Sequence, residues 1–258
     1  MADGTSHPRV AITGAGGLIG QILQQHLSST YETVGLDRRW PRRGGRWRRV
    51  NLANAESAAV AIRGAELVID LAADPSPTLP WKRAYRNNIS TTFNVLEAAR
   101  LAGVRRVVYA SSNHVTGGYE REQPYAAIVG GRYDQLDPDA IPRITTADPI
   151  RPDGPYGLSK AFGEAAGRWF ADEYGLSVLC LRIGTVNQAD RPTDVRQFAT
   201  LLTHRDLATL VTACLEAPGD LLYGVYYGVS GNTWRFWDIE NARRELNYEP
   251  RDNAERWR

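Results

Sequence analysis

The sequence predicts an α/β protein built on a doubly wound parallel sheet, with a small C-terminal lobe. Short, almost continuously apolar runs alternate with segments of helical periodicity through the first two thirds of the chain. This alternation is typical of parallel strands that helices cover on both faces. A glycine-rich turn also follows the first apolar run and opens the first helical segment. With 258 residues, the chain is long enough for one large domain with its own core.

The predicted elements alternate along the chain, and right-handed crossovers would place the strands in one sheet. We predict strands at 9–13, 32–37, 48–53, 66–73, 105–112, 176–184 and 223–230. Helices are predicted at 17–29, 54–63, 81–102, 156–175, 205–218 and 237–247. In the helix at 81–102 the apolar positions Tyr85, Ile89, Phe93 and Leu96 have helical spacing. We expect one domain over residues 1–258, in which residues from about 187 to 258 form the small lobe.

Two segments interrupt this alternation. Residues 38–49 are a basic loop with interleaved Trp40 and Trp47, which we interpret as solvated loop near the second strand. A nucleic-acid patch is the weaker interpretation, because the rest of the chain balances this charge. Residues 118–154 form a long connection rich in Gly, Pro and Asp, and connections of this length are often lids or binding loops.

Composition argues against several classes of partner. The net charge is only +2, so no strong field favours nucleic acid or a membrane surface. No apolar run approaches the roughly 18 residues of a membrane span, and the N-terminus lacks the apolar core of a secretory signal. Cys180 and Cys214 lie in apolar segments without metal-type spacing, and we expect buried thiols, no metal and a cytoplasmic location.

The glycine-rich turn predicts a dinucleotide site. Gly14, Gly17 and Gly20 recur at every third position between a strand and a helix, where the backbone can approach a pyrophosphate. Asp37 ends the second strand, and a carboxylate there can accept hydrogen bonds from the adenosine ribose hydroxyls. Because it would repel a 2′-phosphate, we expect NAD. NADP remains the alternative, since Arg38 and Arg39 follow directly.

Tyr156, Lys160 and Ser112 are the candidate catalytic residues. Tyr156 and Lys160 are four apart at the start of a helix, which places them on one face. For the phenol to act as a base, its pKa near 10 must fall by about 3, or about 4 kcal/mol. We expect the Lys160 ammonium to contribute to that stabilisation. Ser112 ends the fifth strand and could hold the same oxygen of the substrate.

This ordered set resembles the extended short-chain dehydrogenase/reductase family over nearly the whole chain. "TGAGGLIG", "LAA", Asn88, "SSNHVTG" and "YGLSK" all fall where that family has its motifs. The resemblance implies a Rossmann fold, a homodimer and a substrate lobe at the C-terminus. It also implies cofactor contacts from the glycine turn, Asp37, Tyr156 and Lys160, and from Leu18, Ile19, Asn51, Leu52, Leu71, Ala72, Ala73, Asn88 and Ile183.

Within the family, "SSNH", "RPDGPYGLSK", "LRIG" and "DNAE" are similar to the uronate dehydrogenases. These enzymes use NAD to oxidise the anomeric carbon of hexuronic acids to a lactone. The resemblance implies that the sugar touches Ser76, Ser112, Asn113, His114, Tyr156 and Arg182, with Arg182 on the sugar carboxylate. Purely structural roles remain possible for two of these residues. His114 could be a satisfied strand-end histidine, and Arg182 could pair with an internal acid.

Several alternatives to a hexuronate remain. Residues 118–154 are longer than the matching stretch of uronate dehydrogenases and could change the sugar. Archaeal NAD-dependent glucose-6-phosphate dehydrogenases share this style of site, and Arg121, Arg132 or Arg143 of the long connection could bind a phosphate. A dehydrogenase of another, neutral aldose is also an alternative. A nucleotide-sugar epimerase or dehydratase is disfavoured by the short C-terminal part. A non-catalytic NAD-sensing protein is disfavoured because Ser112, Tyr156 and Lys160 are all present.

Overall fold

Seven strands of the described chain form one parallel sheet, in the order β3-β2-β1-β4-β5-β6-β7. The structure is a computed structural model that describes residues 7–39, 46–76, 78–134 and 136–258. Residues 1–6, and part of the basic loop including Trp40, lie outside the described residues. The strands are β1 (Arg9–Thr13), β2 (Glu32–Asp37), β3 (Trp47–Arg49), β4 (Leu67–Asp70), β5 (Arg106–Ser112), β6 (Ser177–Ile183) and β7 (Tyr223–Gly228).

Helices connect the strands and cover both faces of the sheet. The longest of them begins with Pro155 at its first turn and ends at Gly175, whose φ of 66° is the left-handed conformation that glycine adopts without strain. The helices are α1 (Leu18–Leu27), α2 (Ala55–Ile62), α3 (Trp81–Ala84), α4 (Ser90–Leu101), α5 (Tyr125–Val129), α6 (Pro155–Tyr174), α7 (Gln197–Thr200), α8 (His204–Glu216) and α9 (Glu240–Leu246).

The two faces of the sheet bury separate apolar cores, because successive strand residues point to opposite sides. Leu67 and Ile69 of β4 pack with α1 and α8, whereas Val68 between them packs with α2, α4 and α6. This two-sided burial confirms the predicted doubly wound α/β class. The strand order reverses between β1 and β4, so the loops that leave their carboxyl ends diverge and open a crevice there.

A π-helical turn interrupts the helix that we predicted at 81–102. Tyr85–Ile89 form this turn between α3 and α4, and it adds a residue to the helical repeat. Its effect is visible on the surface, where Tyr85 is 56% exposed although its spacing groups it with Ile89, Phe93 and Leu96 on one helical face. π turns often occur at functional sites, and this one faces the crevice.

Part of the range 187–258, where we expect a small lobe, belongs to the main sheet and its core. Within that range β7 pairs with β6 as the seventh strand, and α8 packs on the main core, because both carry the apolar pattern of sheet elements. A third, smaller core does form near the C-terminus. It joins residues of the long connection (Tyr125, Ile128, Ile141, Ile144) to Tyr227, Phe236, Trp237 and Ile239.

The long connection 118–154 is therefore packed against residues near the C-terminus. Ile144 pairs with Trp237 in an isolated parallel bridge, and the amide of Ile144 donates to the carbonyl of Phe236 at 2.8 Å. Within the described ranges, no helix is long and apolar enough to cross a membrane.

Candidate active site

A cleft of about 510 Å³ opens at the carboxyl edge of the sheet, at the point where the strand order reverses. Its volume is in the range of small-molecule and cofactor sites. Residues from the glycine turn, from the ends of β2, β4, β5 and β6, and from the start of α6 line it. The predicted residues among them are Gly14, Gly17, Leu18, Ile19, Gly20, Asp37, Asn51, Leu52, Leu71, Ala72, Ala73, Ser112, Asn113, His114, Tyr156, Lys160 and Ile183.

The glycine turn is shaped for close approach of a ligand. Gly14 has a φ of 61°, and a Cβ there would lie 2.8 Å from the carbonyl oxygen of Leu71. A Cβ on Gly20 would lie 2.5 Å from the Cα of Ala15, so glycine also lets α1 pack against the turn. No described side chain caps the N-terminus of α1, and its first residues, Leu18 and Ile19, line the cleft together with Gly17. This cradle suits the pyrophosphate of a dinucleotide.

Asp37 lies at the carboxyl end of β2, where the cleft continues beyond the glycine turn. Its Oδ2 accepts a hydrogen bond from the backbone N–H of Gly16 at 2.9 Å, and Oδ1 accepts one from the N–H of Arg39 at 2.9 Å. The carboxylate is thereby fixed and can accept further bonds from two adjacent hydroxyls. The cradle and this carboxylate together fit the pyrophosphate and adenosine ribose of NAD.

Ser112, Tyr156 and Lys160 meet at the opposite end of the cleft. Ser112 Oγ accepts from the backbone N–H of His114 at 3.2 Å, which orients the hydroxyl. Burial raises the pKa of Tyr156 to about 12, although a hydrogen bond with Ser112 lowers it. Burial lowers the pKa of Lys160 to about 8, and the charge of Asp70 opposes that fall. The lysine thus titrates near neutrality.

Lys160 does not lower the pKa of Tyr156 in this structure, contrary to our expectation. Its ammonium lies 5.9 Å from the centroid of the Tyr156 ring and 4.9 Å from that of Tyr109. The buried acid near it is Asp70, which accepts a hydrogen bond of 2.5 Å from Thr13 Oγ1. We missed Asp70 in the sequence. The available signal was a carboxylate that ends an otherwise apolar strand.

His114 is held against the wall of the cleft. Its Nδ1 lies 2.6 Å from Asp153 Oδ2, and its ring meets the ring of Tyr156 edge-on, with centroids 5.5 Å apart. Because a carboxylate only accepts, Nδ1 carries the hydrogen in this pair and Nε2 of the neutral ring is an acceptor. Asp153 is a second residue that we missed, although it stands three residues before Tyr156.

Arg182 does not line the cleft, where the resemblance implies a contact with a sugar carboxylate. The side chain is 3% exposed, and its Nε and Nη2 donate to the two carboxylate oxygens of Glu164 at 3.0 and 2.9 Å. Its Nη1 donates to Tyr227 Oη at 3.1 Å. Strand alternation explains this position. Ile183 faces the cleft, so its neighbour in β6 points to the other face, toward α6. The pair with Glu164 is the pairing with an internal acid that the sequence left open.

Asn88 and Ser76 also lie outside the cleft lining. Asn88 is buried, accepts from the N–H of Asp74 at 2.8 Å and donates to Ser159 Oγ at 2.9 Å. It ties the loop after β4 to α6, whereas its neighbour Asn87 lines the cleft. Ser76 Oγ lies 3.3 Å from Thr78 Oγ1.

Arg196 and Thr185 also line the cleft, and Arg196 lies near Asp153, the partner of His114; neither Arg196 nor Thr185 was among the predicted site residues. The guanidinium of Arg196 forms a two-point ion pair with Glu120 of the long connection. Its Nε is 2.6 Å from Oε2 and its Nη2 is 2.7 Å from Oε1. Its Nη1 lies 3.4 Å from Thr185 Oγ1. No local pattern in the sequence around Arg196 indicated a site, since only the fold brings it to Glu120.

The doubly wound sheet, the dinucleotide cradle and the Ser-Tyr-Lys set define the class of short-chain dehydrogenases and their relatives. The family model described as the NAD-dependent epimerase/dehydratase family matches residues 10–237, and the chain belongs to that family. This membership confirms the resemblance that the sequence motifs indicated, and the family is NAD-dependent.

Three known proteins show how far the likeness extends. NAD-dependent glucose-6-phosphate dehydrogenase of Haloferax volcanii is 36% identical, over 95% of this chain and 94% of that protein. L-arabinose 1-dehydrogenase (NAD(P)(+)) of the same organism is 34% identical, over 95% and 97%. A uronate dehydrogenase variant from Agrobacterium tumefaciens, complexed with NAD, is 29% identical over 97% and 87%, with a TM-score of 0.82. All three are sugar dehydrogenases, as the motifs led us to expect.

Proposed function

We propose that this protein uses NAD to oxidise C1 of a free sugar to the lactone, with a hexuronate as the first candidate. The observation that carries the proposal is the meeting of Ser112, Tyr156 and buried Lys160 at one end of a cleft whose other end fits NAD. The names of the three relatives support a sugar as the substrate.

Each residue of the site has a separate role in the proposed reaction. Ser112 Oγ holds the anomeric hydroxyl oxygen, and Tyr156 Oη takes its proton as the carbonyl of the lactone forms. The Lys160 ammonium, which also lines the cleft, binds the nicotinamide ribose. Bound NAD supplies the acceptor for the hydride that leaves C1. Asn113 and His114 Nε2 contribute polar atoms for neighbouring sugar hydroxyls.

A sugar phosphate is disfavoured by the positions of the arginines. Arg196 lines the cleft, but Glu120 already pairs with two nitrogens of its guanidinium, so Arg196 offers no free cation to a phosphate. The arginines that we considered for a phosphate point elsewhere. In the described chain their guanidiniums donate to backbone carbonyls of the same long connection, namely Arg121 to Asp153, Arg132 to Ala126 and Arg143 to Pro138.

One substrate panel tests the proposal. Galacturonate, glucuronate, galactose, L-arabinose, glucose 6-phosphate and UDP-glucose are each incubated with NAD or NADP, and the reduced cofactor is followed. We expect turnover with free sugars, and at least about tenfold higher kcat/KM with NAD because Asp37 repels a 2′-phosphate, a difference of about 1.4 kcal/mol. Tight NAD binding with no turnover would instead indicate an NAD-sensing protein, and turnover of UDP-glucose alone would indicate a nucleotide-sugar enzyme.

We further propose a homodimer through an aromatic face of α4 and α6. Leu101, Leu158, Trp169 and Tyr174 are between 44% and 63% exposed, and Trp169 stacks on Phe93 with centroids 6.3 Å apart. Exposed apolar clusters of this kind mark interaction surfaces. We expect sedimentation of the wild type at twice the 28.6 kDa chain mass, and of the Trp169→Asp variant as a monomer. A monomeric wild type would contradict the proposal.

We also propose a cytoplasmic location. Cys180 and Cys214 are free and fully buried in the two apolar cores on either side of the sheet. Buried thiols of this kind suit a reducing compartment.

A further inference from the structure

The ion pair between Arg196 and Glu120 lies where the sugar would bind, and it limits the ability of the Arg196 guanidinium to bind an anionic group of the sugar. Arg196 lines the cleft near Thr185, and Glu120 occupies the side of its guanidinium formed by Nε and Nη2. A two-point pair is the strongest arrangement that an arginine makes with a carboxylate. The side chain of Glu120 is only 14% exposed, so water screens the pair weakly.

Three carboxylates act on the Arg196 guanidinium. Burial lowers the pKa of Arg196, but Glu120, and more weakly Asp194 and Asp153, raise that pKa, and it ends above its usual value. The pair of Arg196 with Glu120 carries no net charge, so an anionic sugar gains little attraction from Arg196 and is repelled by Glu120.

Glu120 is fixed in this position by the packing of its segment. The N–H of Gly118 donates to the carbonyl of Arg151 at 2.8 Å, and a Cβ on Gly118 would come within 2.8 Å of that same oxygen. Tyr119 Oη donates to the carbonyl of Pro149 at 3.0 Å, and the Arg151 guanidinium lies 4.6 Å from the centroid of the Tyr119 ring. The segment is thus anchored on both sides of the residue.

We propose that Glu120 determines the charge preference of the sugar site: by pairing with Arg196 it neutralises that end of the cleft, so the enzyme accepts neutral aldoses about as well as hexuronates. This inference rests on the proposed C1 oxidation of a sugar. It gives the long connection 118–154 a role, which is to supply the acid that offsets the arginine of the cleft.

The test compares Glu120→Gln with the wild type and with Glu122→Gln. Glutamine keeps the size of Glu120 and removes its charge. Glu122 lies two residues on, is 53% exposed and pairs with Arg151, so its variant controls for a lost acid on the same segment. We measure kcat/KM with NAD for galacturonate and for galactose, and we take their ratio.

In the wild type we expect this ratio to lie within about tenfold of one. In Glu120→Gln it should rise by about tenfold or more, a change of about 1.4 kcal/mol, through a lower KM for galacturonate. Galactose kinetics should stay within about twofold, and Glu122→Gln should match the wild type. The increase in this ratio should disappear in the double variant Glu120→Gln/Arg196→Gln. That result would show that the increase depends on the Arg196 guanidinium, which the single variant leaves without its partner.

Two results would overturn the role of Glu120. One is a wild type that prefers galacturonate by a hundredfold, and the other is an unchanged ratio in a Glu120→Gln variant with wild-type thermal stability. If that variant unfolds, the double variant still tests the proposal, because it should show a wild-type ratio. Calorimetric binding of both sugars to the enzyme–NAD complex separates the two proposals. If the affinity ratio of the two sugars changes in Glu120→Gln but no turnover is seen, only the proposed C1 oxidation is contradicted. If turnover is seen but the ratio does not change, only the role of Glu120 is contradicted.

Discussion

Replacement of Tyr156 with Phe is expected to lower kcat by about 10²- to 10⁴-fold while NAD affinity stays within about twofold. The phenol is the described group positioned, with Ser112, to take the proton of the anomeric hydroxyl. Phenylalanine keeps the ring that packs edge-on against His114, so the wall of the cleft should survive. Steady-state kinetics with the best sugar of the panel and a fluorescence titration of NAD measure the two quantities.

The pH profile provides a second readout of the same residue. Since the pKa of Tyr156 is raised to about 12, the phenol is protonated at neutrality and the reactive phenolate fraction grows as pH rises. The pKa of Lys160 is lowered to about 8, so the ammonium that binds the nicotinamide ribose is lost above that pH. We expect wild-type oxidation to increase from pH 6 to 8 and to level off above. Residual activity of Tyr156→Phe should lack the increase.

Tyr174→Phe is the matched control, because it removes a hydroxyl from the far end of the same helix. It should leave kcat and the pH profile unchanged. Turnover of Tyr156→Phe at the wild-type rate would exclude the phenol as the base.

Those parts of the site that depend on local sequence were predictable. The glycine turn, Asp37 and the Tyr156–Lys160 pair each follow from a short motif whose position on a strand or helix is fixed by apolar periodicity. The structure brings all of them to one cleft. The carboxyl ends of parallel strands share one edge of the sheet, so even their meeting could be expected from the order of elements.

Two arginines show where sequence reasoning stops. Arg182 stands next to a cleft residue in the chain, but strand alternation turns it to the opposite face. Arg196 stands in a segment without periodicity, and it reaches the cleft only because long connection 118–154 folds against it. Asn88 does not line the cleft for a third reason, since its side chain bonds to the Asp74 backbone and to Ser159 Oγ. Each outcome depends on tertiary packing that no local pattern encodes.

Arg182 should accordingly be essential for stability and neutral for sugar selection. Arg182→Met is expected to lower the free energy of unfolding by about 3–5 kcal/mol, because it leaves the carboxylate of Glu164 buried without its cation. For a chain of this size such a loss corresponds to a Tm lower by about 6–20 °C. Differential scanning calorimetry measures it. If any activity survives, KM for galacturonate and galactose should change by the same factor.

The double variant Arg182→Met/Glu164→Leu separates a lost pair from an unpaired charge. Removing both charges eliminates the desolvated carboxylate, so most of the lost stability should return, although Ser111 Oγ also donates to Glu164 at 2.5 Å and loses that partner. Recovery would show that Arg182→Met destabilises the fold because it leaves the carboxylate of Glu164 buried without a cation. A single variant with wild-type Tm and a selective increase in KM for galacturonate would instead return Arg182 to the sugar site. That result would require the buried pair to open during the reaction, because in the folded chain the guanidinium is already saturated by Glu164 and Tyr227.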